Sequence, residues 1–110
     1  MGVHLSRKMV FSLSLLILSL ATLTTLPLTN AQTLTWAKVT SPTSNELDSV
    51  FCVSASDCWA VGLAGVIIHG NGVSWAKVTS PTSNELDSVS CVSASDCWAV
   101  GKSGTIIHGT

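Results

Sequence analysis

The sequence predicts an all-β protein of two tandem, four-stranded antiparallel units behind an N-terminal leader. Three observations carry this. A 36-residue stretch is written twice at an offset of 39 residues, at 36–71 and 75–110, and only five paired positions differ. Each copy divides into four short apolar or β-branched runs separated by turn formers. Neither copy shows the 3.6-residue apolar period of a helix.

The leader comes first. Arg7 and Lys8 form a positive start, and residues 9–20 are apolar with only serines interrupting them. Thr29-Asn30-Ala31 supplies a small-x-small cleavage pattern. A signal peptide is therefore expected over 1–31, helical and cleaved after Ala31. An uncleaved anchor is the alternative, because weaker apolar character continues to Leu28. Residues 32–110 form a single repeat region, with repeat 1 at 36–74 and repeat 2 at 75–110.

Charge narrows the partners. Beyond the leader, three lysines face six carboxylates, a formal charge of −3, and the only arginine of the chain is Arg7. Nucleic acid is excluded for want of a basic patch, and so is a polybasic membrane contact. A membrane is expected to be touched only through an uncleaved leader.

All four cysteines lie in the repeats, as Cys52-x5-Cys58 and Cys91-x5-Cys97. In an exported chain an even count at equal spacing reads as disulfides, which places the protein outside the cytoplasm. Four cysteines allow three connectivities, and repeat symmetry favours the two local ones. Zinc competes, although this spacing is not a usual zinc pattern.

In repeat 2 the strands are expected at 75–79, 86–92, 97–101 and 105–109. Four short strands at this spacing describe an antiparallel sheet of the kind that forms one blade of a β-propeller. Each cysteine pair brackets a turn, so a local bridge would tie neighbouring strands of a hairpin. The differences between repeats run one way. Phe51, Leu63, Ala64 and Val66 become Ser90, Lys102, Ser103 and Thr105. Strand alternation puts Phe51 on the face of Leu47, Ser49 and Val53. Two readings stand: repeat 2 presents a more polar outer face to water, as terminal repeats do, or the two copies have drifted.

The residues Leu86-x-Ser88-Val89-Ser90-Cys91, Cys97-Trp98-Ala99-Val100-Gly101 and Gly104-Thr105-Ile106-Ile107 resemble a class of bacterial propeller repeats. They are similar to the photosystem II assembly-factor-like propellers and the wider Asp-box (BNR) group. Between the repeats, Gly72, Ser74 and Trp75 match an Asp-box while Gly70 stands at its aspartate, leaving it only the role of a turn. The resemblance implies a propeller fold, but such rings commonly close from four to eight blades. Two blades imply an incomplete propeller, either a fragment of something longer or a piece that assembles with copies of itself.

No enzyme is expected. The chain has no tyrosine, and beyond the leader no arginine, so the Asp-box sialidase chemistry has no basis. His69 and His108 read as strand-end histidines beside turns. A Cys58–His69 nucleophile pair would need a free thiol. Asp57 and Asp96 are expected to close turns through backbone hydrogen bonds. Glu46, Asp48 and their copies offer too few oxygens for calcium. Neither a metal nor a cofactor is expected. The candidate ligand contacts are Trp59, Trp98, His69 and His108. The leading expectation is thus a secreted, non-enzymatic interaction module, homo-oligomeric or part of a larger propeller, with a protein or glycan partner. A lectin-like carbohydrate binder is the alternative, and a truncated product without independent function is a third reading.

Overall fold

A computed structural model describes residues 32–110; the leader expected at 1–31 lies outside the described residues. The chain divides into two units, Met1–Trp36 and Ala37–Thr110. Of the first, 32–36 are exposed and carry no regular secondary structure. The second is all-β, with seven strands: β1 Leu47–Ser54, β2 Asp57–Gly62, β3 Ile67–Gly70, β4 Trp75–Val78, β5 Leu86–Ser93, β6 Asp96–Gly101 and β7 Thr105–Gly109. They form two antiparallel sheets, β1-β2-β3-β4 and β5-β6-β7. Among the described residues no helix is long and apolar enough to cross a membrane.

The strands of repeat 2 fall within a residue of their expected places. Their partnership does not. The expectation of four strands in each unit is corrected to four and three, because the sheets are cut at a different point from the repeats. Trp75–Val78 opens repeat 2 in sequence, yet it closes the first sheet against β3. The reason is turn length. Asn71 to Ser74 is a tight turn, with Gly72 at φ 90° and the Asn71 Oδ1 accepting from the Val73 and Ser74 amides at 2.9 Å each. A turn this short returns the chain beside β3. The longer 79–85 linker then carries the chain to the second sheet.

The sheets stack face to back. Phe51, Trp59, Val61 and Ile67 of the first sheet pack against Leu86, Val89, Ala99 and Ile107 of the second. Val61 and Leu86 are completely enclosed there. A hydrogen bond crosses the interface from the Val89 amide to the Ser49 Oγ at 3.2 Å. On its far side the first sheet buries Ala60, Val66 and Ile68 beneath the Trp75 indole.

One expected face needs correction. A register shift between Leu47 and Ser49 sets Leu47 opposite Gly62 and Ser49 opposite Val61. The extra residue turns Leu47 away from the face of Ser49 and Phe51. The same shift lies between Leu86 and Ser88, and it is what lets Leu86 enter the core with Val89.

The exchange at position 51 follows the packing. Phe51 lies on the covered face of the first sheet, whereas Ser90 holds the same register position on the outer face of the second and is exposed. Val66 is buried, while the Thr105 hydroxyl donates to the Lys102 carbonyl at 2.7 Å and takes a bond from Asn84 Nδ2 at 2.8 Å. Ser90 is thus polar on a face of the second sheet that no other described sheet covers, whereas Val66 and Thr105 lie on the opposite face of their sheets, where stacking does not explain the exchange.

Candidate functional site

Cys52 faces Cys58 across the β1–β2 hairpin, and Cys91 faces Cys97 across β5–β6. Both pairs are bridged, with Cα atoms 4.0 Å apart, the close approach of a directly opposed cross-strand pair. The two local connectivities are the ones formed, and no cysteine is left free. Zinc thiolate ligation and a Cys58 nucleophile both lose their thiols. Disulfides of this kind are consistent with an extracellular location.

One strand further in, the register sets Trp59 opposite His69 and Trp98 opposite His108. The rings lie against each other at 4.3 Å and 3.9 Å between centroids, the second pair stacked at 14°. An aspartate completes each group. His69 Nε2 donates to Asp57 Oδ1 at 2.9 Å, and His108 Nε2 donates to Asp96 Oδ1 at 2.8 Å. This corrects two expectations. The histidines are not bare strand ends, and the aspartates spend their side chains on a ring nitrogen twelve residues away instead of on a turn amide. Spacing alone does not show this, because Asp57 and His69 meet only once β2 and β3 are paired.

The two groups differ in their surroundings. Trp98 is exposed and its Nε1 also donates to Asp96 Oδ1, at 3.0 Å. Trp59 lies between the sheets, and its Nε1 is buried without a hydrogen-bond partner. A buried donor left unpaired is costly and uncommon. Trp59 borders a groove of about 300 Å³ between the sheets, walled by Ile67, Val78 and Pro81 on one side and Ala99, Ile107 and Gly109 on the other.

A third cluster is acidic. Carboxylate oxygens of Asp48, Glu85 and Asp87 come within 4.8 Å of one another. Asp48 joins the repeat-2 pair across the sheets. Partial burial raises the Glu85 carboxyl above its ordinary 4.5, and Asp87, Asp48 and Glu46 raise it further against the opposing pull of Lys102. With the folded value raised, the stabilising contribution of Glu85 is full below 4.5 and is lost as pH climbs through the raised value. Glu85→Gln should therefore flatten the loss of stability between acid and neutral pH. Thermal unfolding at stepped pH checks this, and an unchanged slope would dismiss the cluster as a source of strain.

The fold and site together define a class: an all-β module of two stacked, disulfide-stapled antiparallel sheets, each carrying a Trp–His–Asp group. No protein family, curated protein or solved structure matches this chain.

Proposed function

We propose that this chain is an exported, non-catalytic interaction module of two β-propeller-type blades that works by associating through its sheet faces. The observation that carries the reading is the face-to-back stack. Each face that packs in one repeat has a near-identical counterpart left uncovered in the other. Val50 stands exposed where Val89 is buried, and Val100 and Ile106 stand exposed where Val61 and Ile67 are covered. An uncovered apolar face next to unpaired strand edges favours association. The leader pattern and the two disulfides support export. The cysteines are consumed in bridges, which leaves no thiol nucleophile and supports a non-catalytic role.

Light scattering across a dilution series tests the reading on the exported protein. Species heavier than one chain that dissociate on dilution are expected. A monomer at every concentration would remove self-association.

One observation favours a second reading. Trp98 offers an exposed aromatic surface beside an imidazole and a carboxyl group, the mixture of stacking and hydrogen bonding that sugars use. A lectin-like module should lose glycan-array binding on Trp98→Ala and keep it on Trp59→Phe. Binding that survives both changes would sink this version.

A further inference from the structure

We infer that residues 36–39 of one copy of this chain add to the free edge of β7 in a second copy, as the missing fourth strand of its second sheet. The inference rests on the association proposed above and names its partner and its contact.

Donor and acceptor repeat a strand pair that the chain already forms. Residues 36–40 read WAKVT, and so do 75–79, which contain β4. The strand that β4 pairs with, β3, reads IIHG, and β7 ends in the same four residues. Inside the chain, Ile67 faces Val78, Ile68 faces Lys77, His69 faces Ala76 and Gly70 faces Trp75. Transposed by one repeat, Ile106 would face Val39, Ile107 Lys38, His108 Ala37 and Gly109 Trp36. The donor is available: Trp36 is 88% exposed and 36–39 belong to no strand. So is the acceptor, since among the described residues β7 has β6 as its only strand partner and Ile106 is 67% exposed.

The second sheet also holds an open socket for the indole. Gly70 is buried because the Trp75 indole lies on it; a Cβ added there would fall 2.8 Å from the ring. Gly109 is exposed, and the nearest atoms to such a Cβ belong to Cys97, at 3.8 Å and beyond. The intersheet groove is walled by Cys97, Ala99, Ile107 and Gly109. These are the counterparts of Cys58, Ala60, Ile68 and Gly70, on the face where Trp75 packs in the first sheet. A groove of about 300 Å³ in that place is the space an incoming indole and strand would fill.

The linkers before β1 and β5 match as well. Residues 79–85 carry the chain from β4 in one sheet to β5 in the sheet stacked on it. The same residues, 40–46, lead into β1. Both stretches hold the same internal bonds: Thr43 N to Ser41 Oγ and Thr82 N to Ser80 Oγ at 3.3 Å, Asn45 N to Thr43 Oγ1 and Asn84 N to Thr82 Oγ1 at 3.0 Å. The segment before β1 is therefore already folded like a linker between stacked sheets. Its other anchoring contact is waiting too. Gly65 accommodates the Thr82 carbonyl so tightly that a Cβ would overlap it, whereas Gly104 has nothing within 4 Å.

The resulting contact is head to tail, with one surface of each copy meeting a different surface of the next. Ser90, in the place of Phe51, makes the stack between copies less apolar than the internal one. The docked strand then supplies most of the hold.

Cross-linking tests this on the protein exported from its full coding sequence. Val39→Cys and Ile106→Cys are placed separately in two preparations; both positions are exposed, so folding is spared. After mild oxidation, the mixture of the two should give a reducible heterodimer at twice the chain mass. A chain carrying both changes should give a ladder or closed rings. In parallel, Trp36→Ala should lower the scattering mass of the otherwise unaltered protein, with its circular dichroism unchanged. Absence of the mixed heterodimer overturns strand donation, and so does a doubly altered chain cross-linked only within itself. If the unaltered protein still associates in light scattering, the interaction-module reading survives that failure. If it is monomeric throughout, both fall.

Discussion

Reduction of the two disulfides is expected to unfold this protein near room temperature. Each bridge closes a loop with a sequence separation of only 6. Closing a loop of that size removes about 2 kcal/mol of unfolded-chain freedom, so the two together contribute about 4–5 kcal/mol. Ordinary domains hold about 0.05–0.15 kcal/mol of stability per residue, or about 4–11 kcal/mol for the Ala37–Thr110 unit. The bridges are thus comparable with the whole margin. Few side chains compensate, because Val61 and Leu86 are the only large ones fully enclosed among the described residues. Urea titration with and without reductant measures the effect. Removing one pair by Cys91→Ser with Cys97→Ser should lower the midpoint by about half as much as reducing both. Coincident curves with and without reductant would show that the core alone sustains the fold.

The second large effect comes from one substitution made at two equivalent places. Leu86→Ala should cost about 2–5 kcal/mol, the range for deleting a buried leucine and leaving a cavity. Leu47→Ala removes the same atoms from the same position of the other repeat. There the side chain is 40% exposed, whereas Leu86 is at 0%. Its cost in a dilute, monomeric sample should be nearer to about 1 kcal/mol, since much of its surface already meets water. The comparison also reports on assembly. If a second copy covers the far face of the first sheet, the cost of Leu47→Ala should rise with protein concentration toward that of Leu86→Ala. Equal costs at high dilution would contradict the packing asymmetry between the sheets.

Much of this architecture can be read along the chain. The doubled stretch, the turn formers and the absent helical period indicate short antiparallel strands, and six-residue steps between cysteines suit hairpin bridges. Ser90, in the place of Phe51, falls on the exposed face of the second sheet. The Trp–His–Asp groups are not legible in the same way. Asp57, Trp59 and His69 are spread over thirteen positions, and nothing local says that β2 and β3 pair in the register that gathers them. The facing of Leu47 escapes a sequence reading for a related reason, because a β-bulge changes which way a side chain points without leaving a sign in the alternation.

By itself, then, the sequence determined the elements of this protein: what the strands are, where they turn, and which cysteines are near enough to join. Those properties depend on neighbours within a few residues, where propensity and turn chemistry act. Tertiary structure alone decided the partnerships. It assigned Trp75–Val78 to the sheet of the preceding repeat, hid one Leu and exposed its twin, and gave β7 only β6 as a strand partner among the described residues. Identical segments cannot differ in local preference. They differ here because the two sheets meet different neighbours, so one copy of a segment is covered where its twin faces solvent.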